Sequence, residues 1–279
     1  MSHTAQAARA RTIRDALYEA PGPKTHRAMV IGTAISAAVV AALVALIAYR
    51  FYVTGQFAPR YWSFFGQLST WVFLLRGFEG TVQVAFAAGV IALVLGLVLM
   101  LGRTSGIAPV AAVCRVVTDF FRGVPSLLFI YFFFLVVPQY GIKMPAFWMI
   151  TLPVALAASG VLAEVFRAGV NAVPRGQVEA ALSLGLSPFK TTFKIVLPQA
   201  VRYVIPTLIS QLVVVVKDTT VAYVVSYPDL LQNARVLITN YDALVSVYFT
   251  IAIIYIILNY LIHRASLAVS RRLGVKIID

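Results

Sequence analysis

The sequence predicts an all-α integral membrane protein with about six transmembrane helices. Hydrophobic residues make up 61% of its 279 residues and charged residues only 12%, far more apolar than a soluble globular chain. The apolar residues are concentrated in runs of about 20, the length that a helix needs to cross a bilayer core of about 30 Å. The formal net charge of +13 lies mainly in the segments between these runs. This distribution is typical of membrane proteins and argues against nucleic-acid binding.

Six runs are predicted to span the membrane: 28–49, 78–101, 112–138, 146–166, 198–217 and 243–263. The first is expected to be a retained helix, because it is too long for a signal-peptide core and lacks a convincing cleavage site. The third contains Gly123-Val124-Pro125 and is expected to break or kink near Pro125, since proline removes a backbone donor and clashes with the preceding turn. The fifth contains an internal proline, Pro206.

The distribution of Lys and Arg predicts that both termini face the cytoplasm. Basic residues crowd the N-terminal tail, the second-to-third and fourth-to-fifth connections and the C-terminal tail. In a six-span chain these segments share one side of the membrane, and internal loops are the ones enriched in Lys and Arg. The predicted divisions are a cytoplasmic N-terminal segment (1–27), a first helix with its external loop (28–76), a transmembrane domain (77–270) and a cytoplasmic tail (271–279).

Polar residues within or beside the spans are candidates for a substrate path, because ionisable groups in a bilayer are costly. Arg122 precedes the predicted break and could attract a substrate carboxylate, or it could pair with Glu164 in the fourth span. For Arg167 and for Lys217-Asp218, near span ends, snorkelling or ion pairing is a sufficient explanation. The candidate path residues are Arg122, Ser126, Glu164, Gln211, Thr219 and Thr220.

The connection between the fourth and fifth spans is predicted to form two short helices around a turn. The stretch from Glu179 to Leu184 has helix-favouring residues, and Gly185 can take the left-handed conformation that ends a helix. Ser187-Pro188 then supplies an N-cap followed by proline at the first helical position. A compact helix-turn-helix is therefore expected to project from the membrane.

This stretch contains Glu179-Ala180-Ala181, then Gly185 after three residues, then Ile195-x-Leu197-Pro198 after nine more. With this spacing it resembles the EAA loop of bacterial ABC importer permeases. The resemblance extends over residues 77–270, and further stretches are similar to the polar amino acid branch, most of all to a glutamate-type subunit: Phe121 to Pro125, Ala163 to Val170, and Lys217 to Thr220. The chain departs from the pattern in its additional first span and in Thr219-Thr220-Val221, where many members have Thr-Ser-Leu.

The resemblance implies the permease subunit of an ATP-driven importer for a polar amino acid, glutamate or a related one, in a bacterial cell membrane. The implied partners are an ABC ATP-binding subunit, an extracytoplasmic amino-acid-binding protein and a second permease chain, identical or related. ATP and Mg would be bound by the partner ATPase, so this chain is expected to have no cofactor, metal site, catalytic residue or enzyme activity. The residues implied to couple to the ATPase are Glu179, Ala180, Ala181, Gly185 and Leu186.

Two other functions remain open at this point: an ion-gradient-driven secondary carrier or channel, and a membrane scaffold without transport. About six spans without an evident inverted repeat argue against a self-sufficient carrier, and the EAA loop argues against it more strongly. The segment from Gly185 to Lys190-Thr191 is not a phosphate-binding loop, because it lacks the second glycine before the lysine and no strand precedes it.

Overall fold

The computed structural model describes residues 23–272 and is built from helices, with no strand in that range. The chain divides into two units, one ending at Ala58 and the other beginning at Pro59. In the first unit, α1 (Pro23–Val53) is a single apolar helix that buries none of its apolar window.

The second unit holds the remaining helices and the core. Its helices are α2 (Leu68–Arg103), α3 (Ala108–Gly123), α4 (Ser126–Tyr131), α5 (Ala146–Ala172), α6 (Arg175–Ser183), α7 (Pro188–Thr191), α8 (Leu197–Asp218), α9 (Leu230–Tyr241) and α10 (Leu244–Arg272). Short π and 3₁₀ turns extend α4 to Tyr140, join α7 to α8 and extend α8 to Val225.

Five helices of the described range are long and apolar enough to cross a membrane, and the bent pair α3–α4 gives a sixth candidate. The five are α1, α2, α5, the continuous run from α7 through α8, and α10. The prediction of an all-α membrane protein with about six spans is therefore confirmed.

The core of the second unit lies between α2, α5 and α8. Many of its buried side chains are small or β-branched and include Val84, Ala88, Ala92, Val154, Ala155 and Val215; the larger Met100 of α2 and Leu162 of α5 are fully buried beside them. Glycines bring the backbones closer still: a Cβ added at Gly96 of α2 would lie 2.9 Å from Leu162 Cβ of α5. Small residues allow this approach between helices that have no hydrophobic driving force in lipid.

The third span breaks where the sequence predicts. After α3 ends at Gly123, Val124 adopts an extended conformation (φ −92°, ψ 125°), because the residue before a proline is disfavoured in the helical region. The chain turns by 97° between α3 and the segment that begins at Ser126.

Two predicted boundaries are wrong. The helix of the second span begins at Leu68 rather than at residue 78. Neither Arg76 nor Gly77 ends it, because Arg76 is exposed on the helix surface and Gly77 is a helical residue that packs against α9. The second short helix predicted in the loop is not separated from the fifth span, because α7 continues through the π turn Thr192–Val196 into α8. Pro198 lies two residues after the π turn, inside this continuous helical run, where proline removes one backbone hydrogen bond. The helices of the first, fourth and sixth spans also extend a few residues beyond the predicted apolar runs.

Candidate functional site

The loop between the fourth and fifth spans has the predicted helix-turn geometry. Its helix α6 ends in a left-handed cap: Gly185 has φ +79°, and the N–H of Leu186 donates to the carbonyl of Ala181 at 3.2 Å, which satisfies a carbonyl at the helix end. Ser187 then caps α7, its Oγ accepting from the N–H of Lys190 at 3.4 Å. The predicted left-handed glycine and serine N-cap are therefore confirmed, although α6 begins at Arg175 rather than at Glu179.

This loop presents one face outward and packs the other inward. Glu179, Ala180 and Leu184 are exposed, whereas Ala181 is buried against the rest of the unit. No residue of the described range 23–272 covers the exposed face of α6, which can therefore contact another protein.

A small apolar cluster connects α6 to the membrane spans. Val173, Val196 and Ala200 are buried together, and Val170 of α5 and Val178 of α6 pack against them. Because protein interiors are close-packed and transmit displacement, a force on α6 reaches the ends of both α5 and α8.

A cluster of charges surrounds Glu164 near the same end of α5. Its Oε2 accepts from the Nε of Arg167 at 2.7 Å, and its Oε1 lies 3.5 Å from Nη1 of Arg122. Arg103, at the end of α2, also donates to Oε1. One carboxylate therefore joins three arginines from α2, α3 and α5, and the pairing of Arg122 with Glu164 considered from the sequence is present.

The cluster carries more positive than negative charge. Three guanidinium groups face Glu164, and the next carboxylate, Asp119 Oδ1, is 4.0 Å from Arg122. Arg103 is held tightly with a side chain 18% exposed, whereas the side chain of Arg122 is 46% exposed. The guanidinium of Arg122 is thus placed to bind a further carboxylate without breaking the other pairs.

The other predicted path residues lie near the end of α8. The side chain of Ser126, just after the break, lies close enough to Asp218 to interact with its carboxylate. The hydroxyls of Thr219 and Thr220 donate to backbone carbonyls one turn earlier, at 2.8 and 2.6 Å. Gln211 is half-buried on α8. No hydrogen bond or ion pair within residues 23–272 joins this group to Arg122 and Glu164.

Sequence reasoning missed Arg103 as a partner of Glu164, since 61 positions separate the two residues. It also missed Asp229, which is completely buried at the N-cap of α9, with Oδ1 accepting from the N–H of Gln232 at 2.7 Å. Its other oxygen, Oδ2, has no hydrogen-bond partner among the residues that the structure describes. Burial raises the pKa of Asp229 to about 6. An Asp before the apolar residues of a helix is a recognisable N-cap signal, but its burial is not.

The sequence matches one known protein family over more than half of its length. The profile of the family described as "binding-protein-dependent transport system inner membrane component" matches residues 99–275, which covers the charge cluster, the loop and α8 to α10. The chain belongs to this family. Members are transport subunits of the membrane, and the permease described here has the multi-pass architecture expected of one.

Two relatives are similar over most of their length. The permease is 33% identical over 223 residues to the glutamate transport system permease protein of Corynebacterium glutamicum, covering 78% of this chain and 82% of that protein. It is 32% identical over 204 residues to a probable glutamine ABC transporter permease protein of Bacillus subtilis, covering 73% of this chain and 93% of the relative.

Solved structures agree with the fold. The crystal structure of an amino acid ABC transporter with histidines superposes with a TM-score of 0.70 at 27% identity, covering 75% of this permease and 98% of that chain. An inward-facing structure of the MetNI methionine ABC transporter superposes with a TM-score of 0.62 at 20% identity and supports the fold alone.

Proposed function

We propose that this chain is the permease subunit of an ATP-driven importer for a polar amino acid. The single observation that carries the proposal is the exposed helix α6 with its left-handed Gly185, tied through Val173, Val196 and Ala200 to two spans. A permease that relies on a partner ATPase needs a surface that binds the ATPase and is packed against the membrane helices, so that movement of the ATPase is transmitted to them. The family match and the amino acid permeases among the relatives support the same assignment.

The proposed assembly contains two permease chains, two ATP-binding subunits and an external amino-acid-binding protein. Both termini and α6 face the cytoplasm, as the Lys and Arg distribution predicts. Each ATPase subunit binds ATP and Mg and contacts Glu179, Ala180, Ala181, Gly185 and Leu186. Closure of the ATPase pair shifts the population between outward-open and inward-open states; the permease catalyses no covalent chemistry.

We further propose an acidic amino acid, glutamate or a close relative, as the substrate. The surplus of guanidinium groups around Glu164 supports this choice, because Arg122 is placed to bind one more carboxylate while Arg103 and Arg167 remain on Glu164. A cationic substrate would be repelled by the same cluster. Ser126, Gln211, Thr219 and Thr220 are the polar residues proposed to line the path toward the other end of α8.

Reconstitution in proteoliposomes with the partner ATPase and binding protein tests the proposal. ATP-dependent uptake of labelled glutamate is expected, and uptake that persists with a hydrolysis-defective ATPase would favour an ion-gradient-driven carrier instead. A complex that hydrolyses ATP but accumulates no amino acid would indicate a scaffold.

The substrate proposal has its own test. Excess unlabelled glutamate is expected to inhibit uptake more strongly than arginine, and Arg122→Ala should raise the KM for glutamate. Unchanged saturation in a well-expressed Arg122→Ala variant would remove Arg122 from the substrate path. The exposed Lys143→Ala is the matched control for loss of one positive charge.

A further inference from the structure

An open groove lies between the last two turns of α2 and the segment formed by α7 and the π turn after it. It has a volume of about 700 Å³ and is lined on one side by Val98, Leu101 and the 104–107 turn, and on the other by Phe189, Thr192 and Phe193. None of these residues takes part in the charge cluster around Glu164. The groove is therefore a separate feature of the same end of the molecule.

The walls of the groove are apolar and exposed. The side chains of Phe189 and Phe193 are 70% and 40% exposed, and their rings lie 4.5 Å apart between centroids. Val98 and Ile107 on the opposite wall are exposed as well. In a membrane-spanning chain, exposed apolar side chains of this kind are expected to contact lipid.

Two lysines border the aromatic wall. Lys190 and Lys194 follow Phe189 and Phe193 directly and are four residues apart, so they share one side of the helix. Both are exposed, and neither has a carboxylate within 4.0 Å among the residues that the structure describes. The hydroxyls of Thr104 and Thr192 line the same groove.

The groove joins two candidate membrane spans near one end of each. Val98 and Leu101 belong to the last turns of one span, and both lysines lie in the first turns of the next, Pro188–Val225. Apolar walls beside basic groups that have no carboxylate partner among the described residues match the acyl chains and the phosphate of one phospholipid. Basic pockets at the cytoplasmic ends of spans bind acidic lipid headgroups for this reason.

From this arrangement we infer that the groove between α2 and the α7 segment binds one anionic phospholipid of the cytoplasmic leaflet. The acyl chains lie between Leu101 and Phe193, and Lys190 and Lys194 contact the headgroup phosphate. Since the groove adjoins the loop proposed to contact the ATPase, the lipid stabilises the position of that loop. The cytoplasmic placement rests on the proposed function; the binding site itself rests on the groove and its charges.

Lipid that remains bound during purification tests the inference directly. The complex is extracted from vesicles containing equal amounts of phosphatidylglycerol and phosphatidylcholine, and the retained lipids are quantified by mass spectrometry. Enrichment of phosphatidylglycerol is expected. Lys190→Gln and Lys194→Gln should each lower it about fivefold, since one basic side chain near an anionic headgroup contributes about 1 kcal/mol. Lys143→Gln, another exposed lysine, is the matched control and should leave the enrichment unchanged.

Three results would overturn the inference: equal enrichment in the wild type and in the Lys190→Gln/Lys194→Gln variant, displacement of the lipid by inorganic phosphate, and loss of the lipid whenever the ATPase is bound. The second would indicate a site for free phosphate and the third a surface covered by the ATPase. Helical content by circular dichroism and a monodisperse elution profile establish that the variants fold. Because the measurement is bound lipid and not uptake, failure of the proposed transport function would be seen separately.

Discussion

Gly169 of α5 lies directly against Ala200 of α8: a Cβ added at Gly169 would be 2.7 Å from the carbonyl oxygen of Ala200 and 2.8 Å from Cγ1 of Val204. This contact adjoins the apolar cluster that joins α6 to the spans. The close approach of the two backbones therefore sets how the loop is attached to α5 and α8.

Gly169→Ala is expected to destabilise the permease by about 1 to 3 kcal/mol, because an inserted methyl group must displace backbone as well as a side chain. Thermal unfolding in detergent measures the change. The control is Gly176→Ala in α6, where an added Cβ meets nothing within 4 Å and where alanine favours the helix. Equal losses for both substitutions would show that the contact with Ala200 does not matter for stability.

Gly185→Ala tests the left-handed cap. Nothing lies within 4 Å of an added Cβ there, so the effect is conformational: φ +79° costs an L-residue about 1 to 2 kcal/mol. The loop is expected to shift or fray, which lowers amino acid uptake per ATP hydrolysed while overall thermal stability changes little. Gly185→Asp should uncouple hydrolysis from transport more completely. A normal ratio of uptake to hydrolysis in both variants would contradict the coupling role of the cap.

The two strongest arginine partners of Glu164 should differ in their contribution to stability. Arg103→Gln is expected to cost about 1.5 to 3 kcal/mol, because the Arg103 side chain is 18% exposed and its shielded hydrogen bond to the Glu164 carboxylate is lost. Arg167→Gln should cost less than about 1 kcal/mol, since the side chain of Arg167 is 41% exposed and screened by solvent. Denaturation of the purified variants gives both values.

A double-mutant cycle separates pairing from packing in this cluster. In a Glu164→Gln background, Arg103→Gln should cost clearly less than in the wild type, because the charge that it compensates is gone. An unchanged cost would mean that Arg103 stabilises α2 through its aliphatic stem alone.

Protonation of Asp229 is expected to make the stability of the permease depend on pH. Its pKa is raised to about 6 by burial, whereas in the unfolded chain it is near 3.9. Between these values the folded state binds more protons than the unfolded state, so the contribution of Asp229 to stability is largest below about pH 4 and is lost as the pH rises through about 6, by roughly 2 to 3 kcal/mol in total.

Asp229→Asn should remove this dependence while keeping the N-cap, because the amide oxygen can still accept from Gln232. Unfolding measured from pH 4 to 7 compares the variant with Asp242→Asn, the control at an exposed position. A slope that survives in Asp229→Asn would assign the titration to another group.

Local features of the fold could be predicted because their causes lie within a few residues. The break at Pro125 follows from the proline ring and the residue before it, and the cap at Gly185 follows from the absence of a Cβ. The start of α2 could not be predicted: Arg76 and Gly77 resemble a helix end in sequence, yet Gly77 packs under α9, whose Asn233 donates to the carbonyl of Phe73 at 2.7 Å.

Composition and spacing in the sequence determined that the chain crosses the membrane about six times, where its third span breaks, and that the loop from Glu179 to Pro198 turns at Gly185. These properties depend on apolar length, charge distribution and backbone conformation, which act over one or two helical turns. Only the tertiary structure decided that Arg103 joins Arg122 and Arg167 on Glu164, that Asp229 is buried, and that a groove opens between α2 and Phe193. Those relationships depend on helices brought together by close packing at small residues, as Arg103 and Glu164 are across 61 positions, and no local pattern specifies which side chains then meet.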